Sequence, residues 1–214
     1  MHVLITGFEP FGGETINPSW EVARALDGET VAGARLRALR LPCRFGEASR
    51  VLADALASDT PRLVIGLGQA SKRHDVSVER VAINVDDAPM PDNGGDCPID
   101  RAVVADAPVA YFSGLPIKRI VATLRAAGIP SSVSQTAGTF VCNHTFYSLA
   151  HLLATRYPAT KGGFIHLPML PQQAAAHPGL SSLSLDTMVA GIRAAVQVTL
   201  QAAGDLKLGA GALE

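Results

Sequence analysis

Apolar positions along this chain follow two rhythms, and the rhythms alternate. Short runs of strand character are separated by stretches in which apolar residues recur every three or four positions. Residues 2–7 read as a first strand. Asn17-Pro18 then opens a helix over Pro18–Leu26, with Asn17 as N-cap and Pro18 at the first helical position. A strand over Ala34–Leu41 precedes a helix from Phe45 to Ala57. Pro61–Gly68 carries the continuous run Leu63-Val64-Ile65, as expected of a strand buried on both faces. Val76–Val85 reads as a further strand. The segment from Asp86 to Gly114 is rich in Pro, Gly and Asp and reads as one long loop, a length that usually marks function. Leu115–Ala127 is predicted helical, with Gly128 as its stop. Ser131–Gln135 is a short strand, residues 142–156 a helix and Gly163–Leu167 a strand. Ser184 opens a last helix that runs to about Ala203, capped by Ser184 or Asp186. The alternation predicts an α/β fold: a single-domain α/β/α sandwich with a mainly parallel central sheet, over residues 1–204. The tail 205–214 is expected to fray.

Bulk properties narrow the partners. The 214 residues are 48% hydrophobic and 17% charged, with a formal net charge of -1, which suits a buried globular core. Acids and bases are spread along the chain, so no nucleic-acid or membrane-surface partner is expected. The N-terminal run Met1-His2-Val3-Leu4-Ile5-Thr6-Gly7 reads as a strand rather than a signal peptide, and no apolar run is long enough to span a bilayer. Three cysteines, odd in number and far apart, imply no disulfide framework and a reducing, cytoplasmic setting.

The candidate chemistry sits at Ala137-Gly138-Thr139-Phe140-Val141-Cys142-Asn143-His144. Phe146, Leu149, Ala150 and Leu153 follow at helical spacing, so Cys142 falls at a helix N-terminus. The positive end of the dipole and the free N–H groups there are expected to lower the thiol pKa and to suit an oxyanion. The competing reading is a free cysteine used as a small hydrophobe. His166 ends a strand, at the edge where open α/β sheets place their sites. Glu79 lies in a strand with Val81, Ile83 and Val85 as same-face neighbours, and a carboxylate on an apolar face needs a partner or a task. A salt bridge with an arginine is the structural alternative. Together the three residues suit a Cys–His–acid triad, although spacing alone does not show that they meet. Two other motifs are weak. Gly66-Leu67-Gly68-Gln69-Ala70-Ser71 lacks the helix a dinucleotide fingerprint needs, and Asp86, Asp87, Asp92, Asn93, Asp96 and Asp100 lack calcium-loop spacing and read as turn formers.

Several segments together resemble one family. Gly7-Phe8-Glu9-Pro10-Phe11-Gly12-Gly13 followed by Asn17-Pro18-Ser19-Trp20-Glu21 looks like the N-terminal signature of the pyroglutamyl peptidase type I family. Glu79-Arg80-Val81-Ala82-Ile83-Asn84, Pro91-Asp92-Asn93, Gly138-Thr139-Phe140-Val141-Cys142-Asn143 and Phe164-Ile165-His166-Leu167-Pro168 extend the resemblance in order over nearly the whole chain. It implies a cysteine peptidase that removes N-terminal pyroglutamate from peptides, in a cytosolic setting and often as a homotetramer. It implies Cys142 as nucleophile, His166 as general base and acid, and Glu79 as the residue orienting His166. It implies no metal and no organic cofactor. Phe8, Phe11, Phe140, Val141 and Met90 correspond to pocket residues, and Gln69 to one that contacts the lactam. In two places the chain departs from the family pattern. Pro89 stands where an arginine is common in the active-site loop, and Cys43 where a threonine often lies. Two other readings fit the layered fold, a nucleotide-binding or nucleoside-phosphorylase-like protein and an inactive binder of blocked peptides. The first lacks a phosphate loop, and the intact triad candidates speak against the second.

Overall fold

The structure, a computed structural model, describes residues 1–212. A seven-stranded sheet runs in the order β2-β3-β1-β4-β9-β5-β8. Its centre is parallel: β1 (His2–Phe8) lies between β3 (Ala34–Leu41) and β4 (Leu63–Gln69), and β4 pairs with β9 (Lys161–Leu167). The short β2 (Thr30–Val31) is antiparallel to β3 at one edge. At the other, β5 (Val76–Glu79) runs antiparallel to β9 and parallel to β8 (Ser131–Ser134). The expected α/β/α sandwich with a mainly parallel sheet is therefore the observed one.

Strand alternation decides what each layer packs. Ile5, Ile65, Leu67, Val76, Val78, Ile165 and Leu167 turn to one face, where they join α1 (Pro18–Leu26), α3 (Ile117–Ala126) and α6 (Leu185–Gln201) in one core. Leu4, Val64 and Phe164 turn to the other, beneath α2 (Glu47–Ser58) and α4 (Val141–Thr155). Asn17 caps α1 as predicted, accepting from Ser19 N.

Three expectations are corrected. Val76–Val85 is not one strand. Arg80 donates its amide to Ser134 O, and its carbonyl accepts from Ser113 N. The backbone thereby changes partners, and β6 (Val81–Ile83) leaves the main sheet to pair with β7 (Ala110–Phe112), inside the segment read as loop. Glu79 consequently shares its face with Ser77 and not with Val81 and Ile83. The tail after Gly204 is also held. Asp205 accepts from Lys118 N and Arg119 N at the start of α3, and Ala210 O accepts from Arg80 and Gln135. Residues 213–214 of that tail lie outside the described residues. The last correction concerns α4, which begins at Val141, and whose residues from Asn143 to Leu149 are all buried. The β6–β7 ribbon and the long loop cover the side of α4 that amphipathic spacing would leave in water.

The approach of α1 to β1 requires a glycine. A Cβ on Gly7 would stand 2.4 Å from Ser19 O, and Ser19 Oγ accepts from Phe8 N at 2.9 Å. Backbone on both sides leaves no side chain able to yield. Gly7→Ala is expected to cost about 2 kcal/mol or more of stability, read as a lowered urea midpoint at unchanged slope.

Candidate active site

The ends of β4 and β9 and the start of α4 meet on one face of the sheet. Gly68 and His166 are register partners, and a Cβ on Gly68 would fall 2.8 Å from Cys142 Sγ and 2.8 Å from the Phe164 ring. The thiol therefore rests on a bare patch of backbone beside the imidazole. His166, only 3% exposed, bonds through Nδ1 to Glu79 Oε1 at 2.7 Å, and its ring centroid is 5.0 Å from that of Phe164. With the Nδ1 proton held by the carboxylate, Nε2 is left as the basic nitrogen. Among the described residues no hydrogen bond joins it to the thiol.

Glu79 is wholly buried, yet its Oε1 serves two donors, His166 Nδ1 and Arg73 Nη1. Among the described residues its Oε2 has no partner. Arg73 also reaches Thr136 O at 2.6 Å, in the segment that leads to Cys142. Glu79 thus bonds an imidazole and an arginine at once.

The thiol corrects another expectation. Burial pushes the Cys142 thiol well above its ordinary range; Cys43 and Glu79 add to the rise, and Arg73 opposes it. A helix N-terminus was expected to lower it, but desolvation of the sulfur outweighs the dipole at this partly buried residue. The thiol is therefore a proton donor waiting for a base. The N-terminus of α4 is nonetheless open. Phe140 at its N-cap supplies no side-chain hydrogen bond, and the first turn holds no acid. Among the described residues the N–H groups of Val141, Cys142 and Asn143 have no acceptor, which leaves donors beside the sulfur.

The pocket candidates divide. Phe11 and Phe140 are paired at 6.1 Å and partly exposed, and Met90 Cε lies 3.6 Å from where a Gly12 Cβ would be. Phe8 and Val141 are inside the core, Phe8 against Phe164 at 6.4 Å. Gln69 ends β4 on the opposite face from Gly68, where its Oε1 accepts from Gln173 Nε2 at 3.3 Å. Gln173 is itself oriented by Leu170 N and Ile16 O.

Sequence reasoning missed the residues that hold these loops. Asn143 bonds to both main-chain groups of Ile83 and to Val85 O, which fastens α4 to β6. His144 bonds through Nδ1 to Asp86 at 2.9 Å, while its Nε2 accepts from Gly46 N at 3.1 Å. Asp92 accepts from Phe45, Gly94 and Asp96 amides, so this acid does form a turn, but it also ties the turn to a distant loop. Glu9 Oε1 accepts from Cys43 N and Asn93 Nδ2. The signal was the cluster of polar residues inside the matched motifs, each too short to reveal its distant partner.

Residues 1–202 match the sequence model of the family described as pyroglutamyl peptidase. The chain belongs to the pyroglutamyl peptidase family. It is 59% identical over 207 residues to a pyrrolidone-carboxylate peptidase of Cupriavidus taiwanensis, covering 96% of this chain and 95% of that one. A second relative, pyrrolidone-carboxylate peptidase 1 of Ralstonia nicotianae, is 56% identical over 99% of this chain and 98% of its own. The crystal structure of pyroglutamyl peptidase I from Bacillus amyloliquefaciens superposes with a TM-score of 0.95 at 42% identity, over 98% of this chain and 100% of that one. That of a pyrrolidone carboxyl peptidase variant from Pyrococcus furiosus gives 0.90 at 40% identity, over 94% and 99%.

The bare patch under the sulfur gives a test of the geometry. Gly68→Ala forces Cys142 Sγ or the Phe164 ring to move. A displacement near 1 Å at a reacting atom can cost about a hundredfold in rate. kcat is expected to fall by that order while the protein still unfolds cooperatively, and retention of full kcat would show that the sulfur does not react from this position.

Proposed function

We propose that Cys142, His166 and Glu79 are the catalytic residues of this family member. As a pyroglutamyl peptidase the chain is a cysteine-type hydrolase that removes an N-terminal pyroglutamyl residue from peptides. The observation that supports the assignment is the meeting of all three residues at one sheet edge, with Glu79 fixing the Nδ1 proton of His166.

In this reading His166 Nε2 takes the Cys142 proton as the sulfur attacks the pyroglutamyl carbonyl. The tetrahedral oxyanion is received by the unclaimed N–H groups of Cys142 and its neighbour at the start of α4. The imidazolium protonates the departing amine, which leaves a thioester on Cys142. Neutral His166 then draws a proton from water, and hydroxide addition to the thioester releases pyroglutamate and the thiol. Because burial keeps the free thiol protonated, the step depends on a neutral imidazole.

Phe11, Phe140 and Met90 form apolar walls for the lactam ring, with Phe8 and Val141 as backing, and Gln69 provides a polar contact at the end of β4. A pyroglutamyl residue has no free α-amine, so an acid to receive one is not needed. The cytoplasmic setting is supported by three free cysteines, and homo-oligomeric assembly by family resemblance. Light scattering of the purified chain tests the second.

Cys142→Ala is expected to abolish release of a fluorophore from a pyroglutamyl amide, and His166→Ala to come close to it. Glu79→Gln, which removes an orienting charge and no reacting atom, should lose less. Turnover surviving in Cys142→Ala would end the assignment. Alkylation of Cys142 should track loss of activity and be slowed by a pyroglutamyl ligand. Cys43, a buried thiol to which the proposed mechanism assigns no base, should stay unlabelled in the folded protein.

Specificity is a second test. A prolyl amide lacks the lactam carbonyl and brings a charged ring nitrogen, so polar groups made for the lactam stay unpaired. Its kcat/KM should be lower by roughly a hundredfold or more, and comparable hydrolysis of both amides would refute the pocket.

A further inference from the structure

Among the charged groups around the proposed triad, Arg73 has no role in the steps above. It leaves the turn after β4, where its amide bonds Ala70 O, and its guanidinium makes two contacts. Nη1 meets Glu79 Oε1, the same oxygen that His166 Nδ1 uses. Nη2 meets the carbonyl of Thr136, six residues before Cys142. A carboxylate with 0% exposure needs a counter-charge to remain ionised, and a neutral imidazole supplies only a hydrogen bond. Among the described residues the one permanent cation bonded to Glu79 is Arg73.

We propose that Arg73 is a positioning residue for the reaction, holding Glu79 ionised and tying it to the segment that carries Cys142. The proposal rests on the triad reading above. Charge follows from the arrangement. The Glu79 anion is divided between a fixed guanidinium and the imidazole, so it favours the imidazolium less than an undivided carboxylate would. A neutral imidazole able to take the thiol proton is thereby kept available to lower pH. The same cation acts on Cys142 against the burial that keeps its proton on.

The other groups that face this cluster are few. Cys142 comes from α4 and is influenced by Cys43; β9 contributes His166, its other titratable group, Lys161, being exposed at the opposite end of the strand. On the outer side, Lys72, His74 and Asp75 share a solvent-open depression with Arg73, and the strands there contribute only Ser77, Ser132 and Ser134. Lys72, His74 and Asp75 are screened by water, whereas Arg73 touches the carboxylate directly.

The test is the pH dependence of kcat/KM on a pyroglutamyl amide, set beside the pH dependence of Cys142 alkylation by iodoacetamide. Arg73→Gln removes the charge. Its acid limb is expected to move to higher pH by about one unit in both measurements, so that turnover is roughly tenfold down on the acid side and recovers toward alkaline pH. Arg73→Lys keeps the charge and should leave both limbs at the wild-type pH. A purely structural arginine would lower kcat evenly and move neither limb, and that result in Arg73→Gln overturns the proposal. Should Arg73→Gln fail to fold, Arg73→Met, which also removes the charge but keeps the apolar stem, takes its place: limbs displaced by about one unit support the proposal, and unmoved limbs overturn it. Failure of the triad itself shows separately, as turnover surviving in Cys142→Ala.

Discussion

A carboxylate sealed in the protein is the constraint around which this site is built. Glu79 is 0% exposed, and among the described residues one of its oxygens has no partner. Such a group is stable only if what surrounds it is held firmly in place. Its two donors come from different elements, His166 from the end of β9 and Arg73 from the turn after β4. Arg73 in turn holds Thr136, beyond the end of β8. The antiparallel insertion of β5 beside β9 makes this possible, because Ser77 and His166 become register partners and Glu79 follows on the same face. Charge burial, sheet topology and the geometry of the proposed triad are one arrangement here.

The helix that carries the thiol is fixed by the same kind of bond. Asn143 and His144 follow Cys142 directly, and both are buried and spent on backbone or carboxylate partners. They dock α4 to β6, to the start of α2 and to Asp86. The next residue, Asp87, exchanges bonds with Thr139 on the near side of the thiol. Glu9, Asp92 and Asn93 join the loop after β1 to those after β3 and β6 in the same way. The helix that carries Cys142 is therefore held by loops that brace one another, so its position does not depend on any single strand end.

Much of this architecture was legible in the sequence. Pro18–Leu26 and Ala34–Leu41 have the predicted bounds, since an Asn-Pro cap and an alternation of apolar residues with arginines are local signals. The strand expected over Val76–Val85 failed for a non-local reason: its break at Arg80 is made by Ser113 and Ser134, far away in sequence. The fold of residues 205–212 onto α3 was hidden likewise, because Asp205 reads as a tail residue until Lys118 and Arg119 are placed beside it. Cys142 and His166 could be picked out from their positions at a helix start and a strand end. Glu79 was picked for a partly mistaken reason, an apolar face that belongs to another strand. Arg73 could not be found, because a basic run after a glycine turn looks like a solvated surface. The thiol was misjudged in sign, since a helix N-terminus is visible in a sequence and the enclosure of a sulfur is not.

That misjudgement bears on how the site works. A helix that begins with Phe-Val-Cys forgoes a capping side chain, which would be worth about 1 kcal/mol to an ordinary helix. What remains is a set of N–H groups with no acceptor next to a sulfur that burial keeps protonated. Stabilisation that could have gone to the resting thiolate is thus withheld by desolvation, while the donors stay available. An oxyanion formed on the carbonyl under attack would meet those donors without any further rearrangement, and only after His166 had taken the proton. A permanently ionised thiolate at this place would spend the same helix field on the ground state. The arrangement favours the charge that appears during reaction over the charge that could exist before it.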